Sequence, residues 1–70
     1  SPLVAEGEGE ALVGKEGRSL TLLRPVGKAR FGETHYDVVS EGEFIGKDRP
    51  VMVIRVDGRR IVVREIKGES

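Results

Sequence analysis

A chain of 70 residues with no cysteine, 34% charged side chains and zero formal net charge reads as one small domain. It can use neither a disulfide framework nor a thiolate metal site. At this size about 60% of the unfolded surface is buried, so close packing has to supply the stability. No run of about 18 apolar residues is present for a membrane-crossing helix, and the opening residues lack the pattern of a signal peptide.

The charge is unevenly spread. Residues 1–12 carry Glu6, Glu8 and Glu10 and no Lys or Arg, so all 12 basic residues lie beyond them. The resulting mild positive balance falls short of the basic stripe of a dedicated nucleic-acid binder. Glycines alternate with glutamates in 1–12, a composition that buries little and repels itself, and the stretch is expected to be a flexible linker or tail. A start at Ser1-Pro2 without Met is expected of a segment excised from something larger.

Beyond the tail the chain is punctuated by turns. Gly14 and Gly17 flank a first turn. Arg18 to Leu23 alternates, with Leu20 and Leu22 on one face, and predicts a first half-buried strand. Pro25 and Gly27 end it, the glycine being able to take a positive φ. Lys28 to Phe31 predicts a second strand, Gly32-Glu33 a tight turn, and Thr34 to Val39 a third strand with Tyr36 and Val38 on one side. Glu41-Gly42 turns the chain again. Ser40 to Arg49 has no helical period and reads as a loop pinned by Phe44 and Ile45. Pro50 opens a fourth strand, where its missing N–H does least harm. The apolar run Val51-Met52-Val53-Ile54 implies burial on both faces or a bulge. Asp57-Gly58 is a hairpin signal, Arg60 to Ile66 a fifth strand, and residues 68–70 a frayed end.

Five short strands with regular turns and no substantial helix predict an all-β barrel over residues 13–67. The five-stranded Greek-key OB-fold fits the count, with an SH3-like barrel as the alternative.

OB barrels often bind nucleic acid by stacking bases on exposed aromatics in a positive groove. Here Arg24, Lys28, Arg30 and Tyr36 would form that site, while Phe31 and Phe44, set among apolar neighbours, are expected in the core. His35 is the only histidine, and a zinc site needs three or four ligands, so no metal site is expected. Ser40 beside Glu41 has only His35 as a possible base and no group to orient it. Lys47 at a hairpin tip lacks the neighbours of a swinging-arm carrier. No glycine-rich loop precedes a helix to cradle a phosphate, and no cofactor is expected.

The order Gly14-Lys15-Glu16-Gly17, Leu20-Thr21-Leu22-Leu23-Arg24-Pro25, Gly27-Lys28, Gly32, Asp37-Val38-Val39-Ser40-Glu41-Gly42, Phe44-Ile45, Val51, Val53, Val56, Gly58 and Ile61-Val62-Val63 resembles the soluble C-terminal domain of the NfeD family. It covers about three quarters of the chain. Two departures stand out: Asp48-Arg49-Pro50 replaces a usual glycine before the fourth strand, and Val26 stands where a smaller residue is common. The resemblance implies an OB-fold barrel on the end of a membrane protein, acting with a stomatin-like (SPFH-domain) membrane protein. It also implies that long members carry an upstream Ser-Lys protease and transmembrane helices, none of which lies in this chain. The domain is then expected to be soluble, attached to the membrane only through its parent, and on the cytoplasmic side.

The resulting expectation is a non-enzymatic protein-interaction module. Loops on a rigid barrel are where binding usually sits. The contact surface is therefore expected at the Ser40–Arg49 loop, through Glu41, Glu43, Lys47, Asp48 and Arg49. The Asp57–Arg60 hairpin tip adds Asp57, Arg59 and Arg60.

Overall fold

A computed structural model describes residues 9–68. After a short 3-10 turn at Gly9–Leu12 come five strands: β1 (Glu16–Ser19), β2 (Val26–Phe31), β3 (Thr34–Ser40), β4 (Pro50–Asp57) and β5 (Arg60–Glu65). They close into a barrel in the order β1-β2-β3-β5-β4. Every neighbouring pair is antiparallel except β3–β5. That is the Greek-key OB arrangement the five-strand pattern led one to expect.

The expected tail begins to fold earlier than its composition suggests. Gly9–Leu12 forms the 3-10 turn, Leu12 packs against the core, and the Gly14 N–H donates to the Val53 carbonyl at 2.8 Å. Residues 1–8 of that tail, and residues 69 and 70 of the frayed end, lie outside the described residues.

Two tight turns set the register. Phe31 pairs with Thr34 across Gly32-Glu33, and Asp57 pairs with Arg60 across Gly58-Arg59. The Asp57-Gly58 signal thus makes its hairpin, but Asp57 stays in the strand. Gly58 takes the first turn position with φ 63° and Arg59 has no positive φ, the signature of a type II′ turn.

Paired residues share a face of the sheet, so the register separates core from surface. One inward row runs Val38, Ile61 and Val56; the next runs Ser40, Val63 and Val53. Ala29 and Phe31 join them from β2, and Val51 from β4. The Val51–Ile54 run resolves as a bulge. β4 advances two residues, Val53 to Arg55, while β5 advances one, Val63 to Val62, leaving Ile54 as the extra residue.

The first strand is shorter than its alternation predicts. It ends at Ser19; the Leu20 N–H still donates to the Lys28 carbonyl at 2.8 Å, and the chain then leaves the sheet with Leu22 exposed. Leu23 is the buried residue instead. It forms an isolated antiparallel bridge with Ile45, bonded in both directions at 2.8 and 3.1 Å. The crossing segment lies tight on Gly27, where a Cβ would come within 2.4 Å of the Leu23 side chain and 2.8 Å of the Leu22 carbonyl. Gly27 is therefore required for close approach, and its φ is not positive.

The Ser40–Arg49 segment is a loop, anchored at both ends by buried serines. The Ser40 hydroxyl donates to the Glu43 carbonyl. The Ser19 hydroxyl donates to the Gly46 carbonyl at 2.6 Å and accepts the Arg49 N–H at 2.8 Å. Ile45 is fully buried, as expected. Phe44 is not in the core: it is 68% exposed. The Leu23–Ile45 bridge explains this, because when Ile45 points inward its chain neighbour must point out.

A candidate interaction surface

The outward face of the barrel wall carries the candidate site. Val26, Val39, Val62 and Arg55 are paired in sequence across β2, β3, β5 and β4 and form one outward row. Val26 is 68% exposed and Val39 half-buried, while Val62 is 4% exposed although it lies outside the core cluster. The aliphatic shelf deepens into a groove of about 610 Å³. Pro25, Val26, Val38 and Val39 line one part of it. Asp37, Asp57, Arg59 and Arg60 line the rest.

Ion pairs brace the wall around this groove. Lys28 Nζ lies 2.7 Å from Asp37 Oδ1, in the row next to Val26 and Val39. Arg55 bridges Glu41 and Asp57, so it ties the start of the Ser40–Arg49 loop to the β4–β5 tip. Its hydrogen bonds to Glu41, first, and to Asp57 push the Arg55 pKa up from its ordinary value.

This arrangement divides the eight residues expected at the contact surface. Glu41, Asp57, Arg59 and Arg60 come together, the first two through Arg55 and the last three in the groove. Arg49 precedes the first residue of β4 and Asp57 is its last, so these two lie on the order of 25 Å apart at about 3.3 Å per residue. Lys47 and Asp48 sit at Arg49's end, where Arg18 donates to the Asp48 carbonyl at 2.8 Å and Arg49 Nε reaches Glu65 at 2.7 Å. Glu43 is half-buried and its carbonyl is taken by Ser40. The sequence pattern did not bring Val26 and Val39 of the groove, or the Arg55 brace, together with these residues. Their meeting depends on register between four strands, which no local pattern carries.

Phe44 adds a second exposed apolar element. Arg24 Cζ stands 5.4 Å from the centre of its ring, a cation–π distance. Arg24 leads directly into Pro25 and Val26, so this pair adjoins the groove along the chain.

The residues proposed for a nucleic-acid site are placed less favourably. Tyr36 shares the inward row of Ala29 and Ser19, and its ring stands 6.2 Å from that of Phe31 at 52°. It is partly buried and packs against the core, where a stacking aromatic would stand exposed. Lys28 is held by Asp37. Arg30 and His35 pair on the outward face, away from the Arg24–Phe44 contact. Among the described residues no three His, Asp or Glu side chains converge as a metal site would need.

Comparison with known proteins settles the family. Residues 9–65 match the family model described as "NfeD-like C-terminal, partner-binding domain". This chain belongs to the NfeD family. A Bacillus subtilis (strain 168) relative, membrane protein NfeD1b, is 54% identical over 55 residues, which is 79% of this chain. The NfeD domain here spans 13% of that relative's length. The C-terminal domain of stomatin operon partner protein 1510-C from Pyrococcus horikoshii has the same fold. It superposes with a TM-score of 0.80 over 86% of this chain and 95% of that one, at 23% identity. No helix among the described residues of this NfeD domain is long and apolar enough to cross a membrane.

Proposed function

We propose that this chain is the non-enzymatic docking module of a membrane-anchored NfeD protein, presenting its barrel to a stomatin/SPFH-type membrane protein. The observation that carries the reading is the match of the whole barrel, residues 9–65, to a partner-binding domain. A structural neighbour named as a stomatin operon partner supports the choice of partner, and the membrane-protein relative supports the anchor. In this reading the barrel faces the cytoplasm and helps regulate a membrane protease, carried upstream in the longest parents.

The contact surface is the Asp57–Arg60 tip with the Glu41 end of the Ser40–Arg49 loop. Exposed Val26 and Phe44 supply apolar area there, and rim charges supply register. Small clusters of apolar anchors inside a polar rim are how protein interfaces concentrate their energy.

Calorimetry with the soluble domain of the cognate stomatin-type protein tests the reading. Saturable binding is expected, together with no heat from single-stranded oligonucleotide at low salt. Oligonucleotide binding that fades steeply as salt rises, with no binding to the protein, would replace the docking module by a nucleic-acid-binding OB domain.

A further inference from the structure

Most of the charge around the groove is already spent within the molecule. Lys28 holds Asp37, and Arg55 holds both Glu41 and Asp57. Both carboxylates lining the groove therefore have cations. Arg59 and Arg60 line the same groove, are exposed, and make no ion pair among the described residues. What the groove still has to offer a ligand is two guanidinium groups over an aliphatic floor.

We propose that this groove takes an extended acidic peptide segment of the partner. A Val, Leu or Ile side chain would sit on Val26 and Val39, and flanking Asp or Glu carboxylates would pair with Arg59 and Arg60. The proposal rests on the docking reading above and names the chemistry of the segment that docks. Guanidinium forks match carboxylates in geometry as well as charge. The closed barrel favours recognition by side chains over strand addition. Along the β3–β5 seam Thr34–Asp37 of β3 and Arg64–Glu65 of β5 lack a paired strand, and both stretches are short and charged. A nucleic acid fits poorly, because no aromatic lines the groove to stack a base. A membrane surface fits a protruding patch better than a concave one.

The test is selection of a random heptapeptide display library on this chain, followed by amide shift mapping with the enriched peptides as synthetic probes. Enriched peptides are expected to carry Asp or Glu beside Val, Leu or Ile and to shift Val26, Val39, Arg59 and Arg60. The Arg59→Glu, Arg60→Glu double variant alters exposed side chains at the turn and should keep the wild-type amide spectrum elsewhere. It should lose about tenfold or more in affinity and favour lysine-bearing peptides instead. Basic or charge-free winners, or winners that bind the double variant equally well, would overturn the proposal. Peptides mapping to Lys47–Arg49 would overturn the groove and leave the docking reading standing. So would an empty selection from a domain that still binds its folded partner. Phosphatidylglycerol vesicles shifting the groove residues while no peptide does would replace the peptide by a lipid surface.

Discussion

Ser19 holds β1 to the loop before β4 with four hydrogen bonds. Its hydroxyl serves Gly46 and Arg49, its N–H donates to the Arg49 carbonyl, and its carbonyl accepts the Asp48 N–H. The residue is fully buried. Ser19→Ala keeps the backbone pair but leaves the Gly46 carbonyl and the Arg49 N–H without their side-chain partner. The expected loss is about 1–3 kcal/mol, read as a lower urea midpoint with an unchanged slope. Asp48 has the opposite prospect. It sits at φ 67°, the only non-glycine at a positive φ among the described residues. This is the stretch where the family resemblance led one to expect glycine, and the backbone conformation shows why. Asp tolerates the left-handed region better than most side chains, but at a cost. The Asp48 carboxylate contributes little in return, since it stands 4.0 Å from Arg18 with both groups exposed. Asp48→Gly relieves the strain and adds unfolded-state entropy, so thermal unfolding should show a net gain of up to about 1 kcal/mol.

At the scale of elements, the Leu23–Ile45 bridge is the part that local patterning concealed. Adjacent residues there have opposite roles. Ile45→Ala should cost about 2–5 kcal/mol by opening a cavity in the barrel. Phe44→Ala should change stability by less than about 0.5 kcal/mol, as expected of an exposed residue, while weakening partner binding. Chemical denaturation of the two variants side by side checks the assignment, and a larger loss at Phe44 would contradict it. Strands β3 and β5 were legible because alternation, flanking turn glycines and β-branched residues agreed there; β2 was legible only from Lys28, because Gly27 reads as a terminator yet lies inside the strand. The first strand was not, because Leu20 and Leu22 alternate correctly yet belong to a segment that crosses over Gly27. Phe44 misled for a related reason: an aromatic among apolar neighbours suggests core, but the face it shows is decided by its bridge to a distant segment. The hairpin tip was legible as a charged turn from its Asp57-Gly58 signal and its arginines. The outward row beside it was not, since Val26, Val39 and Val62 are brought together only by register across β2, β3 and β5.

At the scale of the molecule, the two ends of β4 differ. One end of β4 is bound up with itself: Ser19, Arg18 and Glu65 occupy the Gly46–Arg49 stretch through hydrogen bonds and ion pairs. The other end holds the groove, with exposed Val26 and two arginines that make no ion pair among the described residues. A small domain gains little from leaving apolar surface and charge exposed together, so that end is where a partner has most to offer. The most direct measurement is an amide chemical-shift map of the labelled chain with the soluble domain of the proposed stomatin-type partner. The account predicts shifts concentrated at Val26, Val39, Glu41, Phe44 and Asp57–Arg60, with Lys47–Arg49 nearly unmoved. Shifts centred on Lys47–Arg49, or no shifts at saturating partner, would contradict it.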